Sequence, residues 1–394
     1  MKTGIDALNF YTPGQYYSAA ALAIRHGVDP DKYLHGIGQE KIGVPAPDED
    51  IVTMAAEAAA PLLTQNVRKK LHTVIFATES SVDQSKSAGA FLHGLLNLPS
   101  NCRVIEAKQA CYAATAGILM GCDLVRSRPD KAVLVIASDI ARYEQDSNAE
   151  CTQGAGAAAI VITANPRLVA LDSFTGMFTR DVMDFWRPNN RKTACVDGQL
   201  SIDIYMEAIN LAFADYESNG GRSMSNMDRL VLHTPFTKMA KKAVTALQES
   251  YPEALHFDED TYKHSLSYGR NLGNTYTASM YIALCSLLET DPADLHGKTI
   301  GFFSYGSGAV SEFFSGVVQK GYRDHLQAEQ HAGMLDARRE LIHPEYVDWF
   351  YNAESLSGQD CLLEQKTCGK FRLKGIEESR RLYASCEAAA MIAA

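Results

Sequence analysis

The chain of 394 residues has a formal net charge of −10, which argues against a general nucleic-acid-binding protein. With 46% hydrophobic and 21% charged residues, its composition is that of a globular protein long enough for two packed halves. The sequence contains neither an apolar run of the roughly 18 residues that a membrane span needs nor a secretory signal at its start. We therefore expect a cytoplasmic protein without membrane contact, whose nine cysteines lack zinc-type spacing and are reduced.

Short apolar runs alternate with helical patterns along the first half of the chain. The runs are bounded by polar residues or glycines, which predicts strands buried in the interior. The predicted strands are 74–79, 133–137 and 157–162, and the predicted helices are 16–26, 51–63, 84–97 and one that starts at Cys111. Continuous apolar strands between helices are typical of sheets that are covered on both faces.

The second half repeats this order of segments. An apolar strand ends at His233 as one ends at Glu79, and a small-residue helix opens around Asn274 as one opens at Cys111. A turn with two glycines, residues 306–308, then precedes an apolar run, as in the first half. Three matches in the same order predict an internal duplication of one α/β unit. Glu79 and His233 would then occupy equivalent places, and so would Cys111 and Asn274.

The duplication divides the chain into an N-terminal half over 1–165 and a C-terminal half over 166–394. Two segments of the second half lie outside the repeat. Residues from about 166 to 225 are predicted to be an insertion that could cover a site. Residues from about 320 to 394 are more charged and are predicted to form a peripheral helical extension.

Cys111 precedes a run of small residues that suits a helix packed closely on all sides. The N-terminus of a helix carries partial positive charge and unpaired N–H groups, which favour a thiolate and can hold a developing oxyanion. Because equivalent strand ends of a duplicated fold meet near its pseudo-twofold axis, four polar residues are expected to converge on one cavity: Glu79, Cys111, His233 and Asn274.

These side chains support acyl transfer followed by carbon–carbon bond formation. Cys111 can take an acyl group from a thioester, because thiolates attack carbonyl carbons readily. His233 and Asn274 can polarise the carbonyl of a second acyl thioester or donate a proton to its oxygen. Glu79 can remove a proton from the bound acyl chain if the apolar end of its strand raises its pKa.

Each of these residues also has a purely structural explanation. Buried cysteines are common in cores, and an acid at a strand end is usually solvated or caps a helix. His233 can be a hydrogen-bonded core histidine, and Asn274 can cap a helix. The matched places of the four residues in the two repeats favour a site over these alternatives.

Lys238 and Lys242 are four residues apart, so on a helix they share one face. Without further context, such a pair is a solvated basic face. Beside a thioester site, the same face could receive the phosphates of coenzyme A.

The sequence resembles the hydroxymethylglutaryl-CoA synthase family of the thiolase superfamily along essentially its whole length. The motifs that carry this resemblance are ATES at 77–80, EAKQACYAAT at 106–115, DFWRP at 184–188, VDGQLS at 196–201, HTPFTK at 233–238 and GNTY at 273–276. An acid at the place of Glu79, kept together with Cys, His and Asn, distinguishes this family from thiolases and ketoacyl synthases. Ala113 and Ala114 stand where animal and plant members tend to carry glycines, which resembles the bacterial branch that serves mevalonate synthesis.

The resemblance implies a five-layer αβαβα thiolase fold, a homodimer, and condensation of acetyl-CoA with acetoacetyl-CoA to give 3-hydroxy-3-methylglutaryl-CoA. Cys111 would carry the acetyl group, Glu79 would be the general base, and His233 would position and protonate the acetoacetyl group. Backbone N–H groups of Cys111 and Ser307 are candidates for the oxyanion hole. The resemblance implies no metal and no cofactor beyond the substrates. Substrate-binding positions of the family match Asp29, Tyr143, Asn148, Thr152, Phe185, Ser201, Lys242, Asn274 and Ser307.

Three other functions compete with this one. A relative that acts on β-ketoacyl chains bound to a carrier protein in polyketide assembly would have the same catalytic residues. In a ketoacyl synthase of the Cys-His-Asn type, Glu79 would have no catalytic role. An inactive thiolase-like scaffold typically lacks the nucleophile, whereas here the base, nucleophile and acid are all present.

Overall fold

The computed structural model describes residues 1–352 and 360–386. The strands are Thr3–Tyr11 (β1), Gln15–Ser18 (β2), Lys41–Gly43 (β3), Leu71–Ala77 (β4), Arg103–Ala107 (β5), Ala132–Ala141 (β6), Gly154–Ala164 (β7), Val169–Thr179 (β8), Phe185–Trp186 (β9), Cys195–Val196 (β10), Arg229–Leu232 (β11), Thr299–Gly306 (β12), Val310–Val318 (β13), Arg339–Glu340 (β14), Cys361–Leu362 (β15), Phe371–Glu377 (β16) and Arg380–Ser385 (β17). The α-helices are Ala19–Arg25 (α1), Ile51–Ala59 (α2), Gln65–Lys70 (α3), Ala88–Leu95 (α4), Ala113–Ser127 (α5), Gly198–Ser218 (α6), Lys238–Ser250 (α7), Gly269–Leu272 (α8), Ser279–Thr290 (α9), Ala328–Asp336 (α10) and His343–Val347 (α11).

The largest sheet in these residues has nine strands in the order β11-β12-β13-β8-β1-β7-β6-β4-β5. Its first-half strands join its second-half strands where β1 pairs with β8, over only three residue pairs. A Cβ on Gly4 would lie 2.2 Å from the carbonyl oxygen of Val169, so only glycine lets the two strands approach there. The two halves are therefore joined along a short seam.

Helices cover both outer faces of these strands and fill the space between the two halves. α2 and α4 pack on the outer face of the first-half strands, and α6 and α7 pack on the outer face of the second-half strands. α5 and α9 lie between the halves in a core that takes residues from both. This arrangement confirms the predicted five-layer αβαβα fold.

The small residues of α5 explain how closely it packs. A Cβ on Gly117 would lie 3.0 Å from Cγ2 of Ile75, and one on Gly121 would lie 3.3 Å from Cγ1 of Val133. Larger residues at these positions would push α5 away from β4 and β6. Within the described residues, no helix is both long and apolar enough to cross a membrane.

The two halves repeat one order of elements. β4 and β6 are parallel neighbours in the first half, as β11 and β12 are in the second. Ala77 and Val231 both face the inner layer, and Glu79 and His233 follow them by two residues each. Glu79 and His233 therefore stand at equivalent places.

The prediction that Asn274 occupies the second-half place of Cys111 is wrong by three residues. Cys111 lies two residues before α5, and the residue two before α9 is Thr277. Each of these two follows a residue with left-handed backbone, Ala110 with φ 43° and Tyr276 with φ 46°. A short 3₁₀ turn before α9 hides the true start of this helix from pattern analysis.

Two predictions about the second half need correction. The predicted insertion contains β8, which completes the second-half sheet by pairing with β13, and α6, which forms part of an outer layer. Between β8 and α6, the same segment forms a separate two-stranded hairpin of β9 and β10. The predicted helical extension contains the three-stranded sheet β15-β16-β17, whose Phe371 and Tyr383 pack on the first-half core. Residues 353–359 and 387–394 of that extension lie outside the described residues.

Candidate active site

Glu79 and Cys111 meet at the ends of adjacent elements. Glu79 lies two residues beyond β4, and Cys111 lies in the turn that leads into α5. The Cys111 thiol donates a hydrogen bond to Oε1 of Glu79 at 3.1 Å. Burial and the neighbouring Asp139 raise the pKa of Glu79 to about 8, although the Cys111 hydrogen bond and the Arg187 charge act in the opposite direction. Burial and the Glu79 carboxylate also raise the pKa of the Cys111 thiol.

The resting site therefore does not favour a thiolate, contrary to the argument from the helix N-terminus. The helix dipole acts on a thiol that is half-buried and that donates to a carboxylate, and both of these features favour the protonated sulfur. A carboxylate at hydrogen-bond distance is instead placed to accept the thiol proton as the sulfur attacks. Glu79 and Cys111 form a proton-sharing pair rather than a preformed ion.

Asp139 holds Glu79 in place, and the sequence analysis assigned it no role. Asp139 is fully buried, and its Oδ1 accepts hydrogen bonds from the Thr78 hydroxyl at 2.8 Å and the Glu79 N–H at 2.9 Å. Its Oδ2 accepts from the N–H of Thr277 at 3.1 Å and from the hydroxyl of the same residue. One buried carboxylate thus ties the base of the first half to the second half.

His233 is a neutral imidazole that directly follows β11 in the second half. The residue is 2% exposed, and burial lowers its pKa to about 3. Its backbone is fixed by two hydrogen bonds, from its N–H to Phe303 O at 2.8 Å and from the Tyr205 hydroxyl to its carbonyl oxygen at 2.7 Å. Within the described residues Nδ1 of His233 has no partner. A neutral imidazole with an unpaired buried nitrogen is suited to polarise a bound carbonyl.

Asn274 is 2% exposed and stabilises a turn in the loop before the 3₁₀ turn, whose N-cap residue is Thr275 and not Asn274. Its Oδ1 accepts a hydrogen bond from the Tyr276 N–H at 2.9 Å, and its own N–H donates to Thr152 O at 3.0 Å. This second bond brings Thr152 beside Asn274. The Asn274 oxygen is already engaged, which leaves its amide NH₂ as the group for a substrate oxygen.

Aromatic side chains form a wall around the thiol and carboxyl. Phe185 packs edge-on against Tyr143, with ring centroids 6.1 Å apart, and against Tyr276 at 5.8 Å. Burial, followed by the Cys111 and Glu79 charges, raises the pKa of the Tyr143 hydroxyl, which places this residue beside the pair. These rings give the surroundings of the thiol and carboxyl an apolar side.

The loop that carries Ser307 lies against the Cys111 turn. A Cβ on Gly306 would lie 2.5 Å from Gln109 O and 2.7 Å from the N of Tyr112, so the close approach requires glycine. Gln109 Nε2 donates to Ser307 O at 3.3 Å, which fixes the loop further. The geometry supports Ser307 as a neighbour of the reacting sulfur.

Asp184, a fully buried residue of the DFWRP motif, connects this loop to α6. Its Oδ1 accepts from the Gly308 N–H at 2.8 Å, and its Oδ2 accepts from the Tyr305 hydroxyl at 2.8 Å and the Ser201 hydroxyl at 3.3 Å. The sequence analysis noted the motif but missed this carboxylate, because its partners lie far along the chain.

The remaining predicted binding residues, Asp29, Asn148 and Lys242, are exposed. Within residues 1–352 and 360–386, no hydrogen bond connects these three side chains to Glu79, Cys111, His233 or Asn274. Lys238 and Lys242 lie on α7 and are both exposed, as the spacing predicted. The Thr237 hydroxyl donates to Gly38 O at 2.6 Å, which brings the segment after Asp29 to the start of α7.

A cavity of about 940 Å³ opens beside Glu79. Its walls are the β9–β10 hairpin, the segment that follows Glu79, and the turn before Cys111. Basic side chains predominate in its lining over the acidic Glu79, Asp83 and Glu106: Lys86, Lys108, Arg187, Arg191 and Lys192. The local charge is thus opposite in sign to that of the whole chain.

Elsewhere in the described residues, Cys285, Glu289 and His331 lie close enough together to suggest a metal site. Nδ1 of His331 faces the Glu289 carboxylate at 2.9 Å, and Nε2 faces Oδ1 of Asn9 at 2.8 Å. Both ring nitrogens therefore face oxygen atoms at hydrogen-bond distance, and these contacts occupy the directions in which the ring would bind a metal. This cluster is a buried ion pair.

The fold and the site together define a class of protein. A cysteine ahead of an inner helix, a carboxyl of raised pKa that accepts its thiol proton in a hydrogen bond, and a neutral histidine at the equivalent place on the other half are the side chains that a condensing enzyme with a thiolase-like fold requires. Profiles of the hydroxymethylglutaryl-coenzyme A synthase N-terminal and C-terminal regions match residues 1–167 and residues 169–256 and 252–362. The chain belongs to the hydroxymethylglutaryl-CoA synthase family.

Individual relatives agree with this assignment. The hydroxymethylglutaryl-CoA synthase of Enterococcus faecalis is 41% identical, with 97% of this chain and 100% of that protein covered. The polyketide biosynthesis 3-hydroxy-3-methylglutaryl-ACP synthase PksG of Bacillus subtilis is 32% identical over 88% of this chain and 87% of its own length. A crystal structure of an HMG-CoA synthase complexed with CoA has a TM-score of 0.94 at 35% identity and covers 98% of this chain and 100% of its own.

Proposed function

We propose that this protein condenses acetyl-CoA with acetoacetyl-CoA and water to give 3-hydroxy-3-methylglutaryl-CoA and CoA. The observation that carries the proposal is the 3.1 Å contact between the Cys111 thiol and Oε1 of Glu79. It places a nucleophile and a base of raised pKa together, as a covalent acyl transfer followed by a deprotonation requires. The greater identity to the Enterococcus faecalis enzyme than to PksG favours free CoA as the carrier.

The first step transfers the acetyl group to sulfur. The Cys111 thiol gives its proton to Glu79 as the sulfur attacks the thioester carbonyl of acetyl-CoA. The C–S bond to CoA then breaks, and the CoA thiolate takes the proton from Glu79 as it leaves, which leaves Glu79 ionised. Backbone N–H groups of Cys111 and Ser307 hold the oxyanion of the tetrahedral intermediate.

The second step forms the carbon–carbon bond. Glu79, ionised again, removes a proton from the methyl carbon of acetyl-Cys111. The resulting carbanion attacks the ketone carbon of acetoacetyl-CoA, while the neutral His233 polarises the ketone oxygen through its N–H and passes that proton to the alkoxide that forms. The proton that Glu79 took from the methyl group then returns to the imidazole, so that Glu79 is ionised and His233 is neutral when the step ends. Asn274 donates a hydrogen bond to a substrate oxygen from its amide. Water then cleaves the Cys111 thioester, which releases the product with a free carboxylate and restores the thiol.

The other predicted binding residues divide by depth. Tyr143, Thr152, Phe185, Ser201 and Ser307 enclose the acyl groups, whereas Asp29, Asn148 and Lys242 contact the CoA moiety at the surface. Lys242 supplies positive charge to a phosphate of CoA, since it is exposed on α7. The reaction uses no metal and no cofactor beyond the CoA substrates.

We also propose that the protein is a cytoplasmic homodimer that acts in the mevalonate route to isoprenoids and binds neither nucleic acid nor membrane. The exposed edge of the large sheet supports self-association. β5 is the outermost strand on the first-half side, and its Ile105 is 40% exposed. An apolar side chain on an unpaired strand edge is a surface on which another strand can pair.

The experiment that tests the proposal is intact-protein mass spectrometry after mixing with acetyl-CoA and then with acetoacetyl-CoA. We expect one acetyl adduct that maps to Cys111 and is discharged with formation of 3-hydroxy-3-methylglutaryl-CoA. Cys111→Ala should form no adduct. An adduct that free acetoacetyl-CoA never discharges, but that an acetoacetyl carrier protein does, would assign the protein to polyketide assembly instead. The absence of any adduct on the wild-type protein would indicate a scaffold.

A further inference from the structure

We propose that Arg187 is a positioning residue that holds the base Glu79 from the outside of the site through a hydrogen bond to its backbone. The proposal rests on the role of Glu79 proposed above. Nη2 of Arg187 donates to the carbonyl oxygen of Glu79, although the two residues are 108 positions apart in the chain. Arg187 itself is exposed and lines the cavity beside Glu79.

The segment that carries Glu79 needs such support. β4 ends at Ala77, and the next helix begins only at Ala88. On one side of Glu79, its N–H is bound by the buried carboxylate of Asp139 at 2.9 Å. On the other side, its carbonyl oxygen is bound by Arg187. The two bonds fix both peptide groups of Glu79 and thereby direct its side chain toward Cys111.

Arg187 is itself placed by rigid elements. Two positions before it in the β9–β10 hairpin, Phe185 packs against Tyr143 and Tyr276. One position further back, Asp184 is buried and bonded to Gly308 and Tyr305. The Arg187 guanidinium therefore extends to Glu79 from the end of β9, whose start is anchored in the core. It can hold Glu79 in place although it is exposed.

The charge of Arg187 also acts on Glu79. The titratable groups that face this carboxyl are Asp139, Cys111, Arg187, Tyr143 and Tyr276. Asp139 raises the pKa of Glu79, whereas the Cys111 hydrogen bond and the Arg187 cation lower it. Since Arg187 is the cation of this group, its removal raises the pKa of Glu79 and leaves less of the ionised base at a given pH.

The same hairpin offers a matched control. Arg191 lines the same cavity, four positions further along, and its nearest acidic partner is Glu144, at 4.0 Å. Removal of Arg191 takes the same charge from the cavity without removing a bond to Glu79. A comparison of Arg187→Met with Arg191→Met thus separates the specific contact from the general positive field.

The test measures acetylation by mass, thermal stability, and kcat and KM for acetoacetyl-CoA between about pH 6 and pH 9.5. We expect Arg187→Met to keep its melting temperature and its full extent of acetylation and to lose roughly tenfold in kcat at neutral pH, because the base is displaced. The KM for acetoacetyl-CoA should change little, and the acidic limb of the kcat–pH profile of Arg187→Met should move to higher pH. Arg187→Lys should return the acidic limb of the kcat–pH profile to its wild-type position. It should not restore the full kcat, because an ammonium lacks the guanidinium geometry. Arg191→Met should match the wild type.

Two results would overturn the inference. One is a pH profile and kcat of Arg187→Met that coincide with those of Arg191→Met. The other is a loss of rate in Arg187→Met that comes with a lower melting temperature and lost acetylation, since that would show general structural damage. A wild-type protein that acetylates but does not condense would overturn the proposed function instead, so the two failures are distinct.

Discussion

Thr277 occupies in the second half of the fold the place that Cys111 occupies in the first. Both lie two residues before an inner helix, and both follow a residue with left-handed backbone. The hydroxyl and N–H of Thr277 donate to Asp139, which in turn binds the N–H of Glu79. Thr277, at the second-half place of Cys111, thus supports Glu79 through Asp139.

Thr277→Val should weaken condensation more than acetylation. The substitution keeps the backbone N–H and the shape of the side chain but removes one donor to a buried carboxylate. Such a loss costs roughly 1–3 kcal/mol, and a displaced Asp139 would loosen Glu79. Thermal unfolding and single-turnover condensation after acetylation measure the two effects. Thr277→Ser, which retains the hydroxyl, should resemble the wild type, and equal activity of the Val and Ser variants would contradict the assignment.

The rate of condensation should rise as the pH increases through about 8 and level off about one pH unit above that value. Burial and Asp139 raise the pKa of Glu79 to about 8, so the ionised base gains population as the pH rises through that value. Asp139→Asn removes the negative neighbour and should move the limb to lower pH. Rates of discharge of preformed acetyl-enzyme give the profile directly. Glu79→Gln should acetylate more slowly, because the Cys111 thiol loses its proton acceptor, and its preformed acetyl-enzyme should lose at least about a hundredfold in condensation. A variant that condenses normally would exclude Glu79 as the base.

Gly306→Ala should impair formation of the acetyl-enzyme. The added methyl group would meet two backbone atoms, Gln109 O at 2.5 Å and the N of Tyr112 at 2.7 Å, so the loop must move away from the Cys111 turn. A displaced Ser307 no longer holds the oxyanion, and loss of one such donor costs about 10²–10³ in rate. The rate of acetylation measures this effect. Gly94→Ala is the control, because nothing lies within 4 Å of a Cβ there; an equal effect of both substitutions would argue against the loop.

Glu289→Gln should destabilise the protein without altering the site chemistry. The side chains of Glu289 and His331 are 1% and 3% exposed, and breaking such a pair costs about 3 kcal/mol. Burial alone would raise the pKa of Glu289, but His331, Tyr268 and the Gln327 N–H together lower it from 4.5. The stability that this carboxylate contributes is therefore present above its unfolded pKa and is lost as the pH falls through its folded value.

The difference in unfolding free energy between wild type and Glu289→Gln should accordingly shrink below about pH 4.5. Denaturant titrations at neutral and acidic pH measure this difference. Glu207→Gln, which breaks the exposed pair with Arg180, is the control and should change stability little. A difference that stays constant as the pH falls would show that Glu289 is not ionised in the folded protein.

Strand ends and chain order predicted that Glu79 and Cys111 come together, as they do in the structure, and that Glu79 and His233 stand at equivalent places. Glu79 and His233 follow short apolar strands that only a buried sheet could use, so the duplication could be traced through them. The counterpart of Cys111 could not be located from pattern, because the small residues around Asn274 continue through a 3₁₀ turn before α9 begins. Composition showed the presence of that helix but not its first residue.

The supporting carboxylates could not be predicted. Asp139 and Asp184 look like ordinary polar residues in the sequence, and their roles depend on Thr277 and Gly308, which are 138 and 124 positions away. The protonation of Cys111 was mispredicted for a related reason. The helix dipole is a local effect that can be read from neighbours in sequence, whereas the Glu79 carboxyl that outweighs it arrives from another strand.

The proton shared by Cys111 and Glu79 also bears on the chemical durability of the enzyme. Peroxides and alkylating reagents attack thiolates, and they attack protonated sulfur slowly. A thiol of raised pKa behind an aromatic wall keeps the nucleophile in its inert form between turnovers. The sulfur becomes reactive only when a thioester carbonyl lies against it. The pairing of Cys111 with Glu79 therefore delays the reaction until substrate is bound and also shields the cysteine from oxidation.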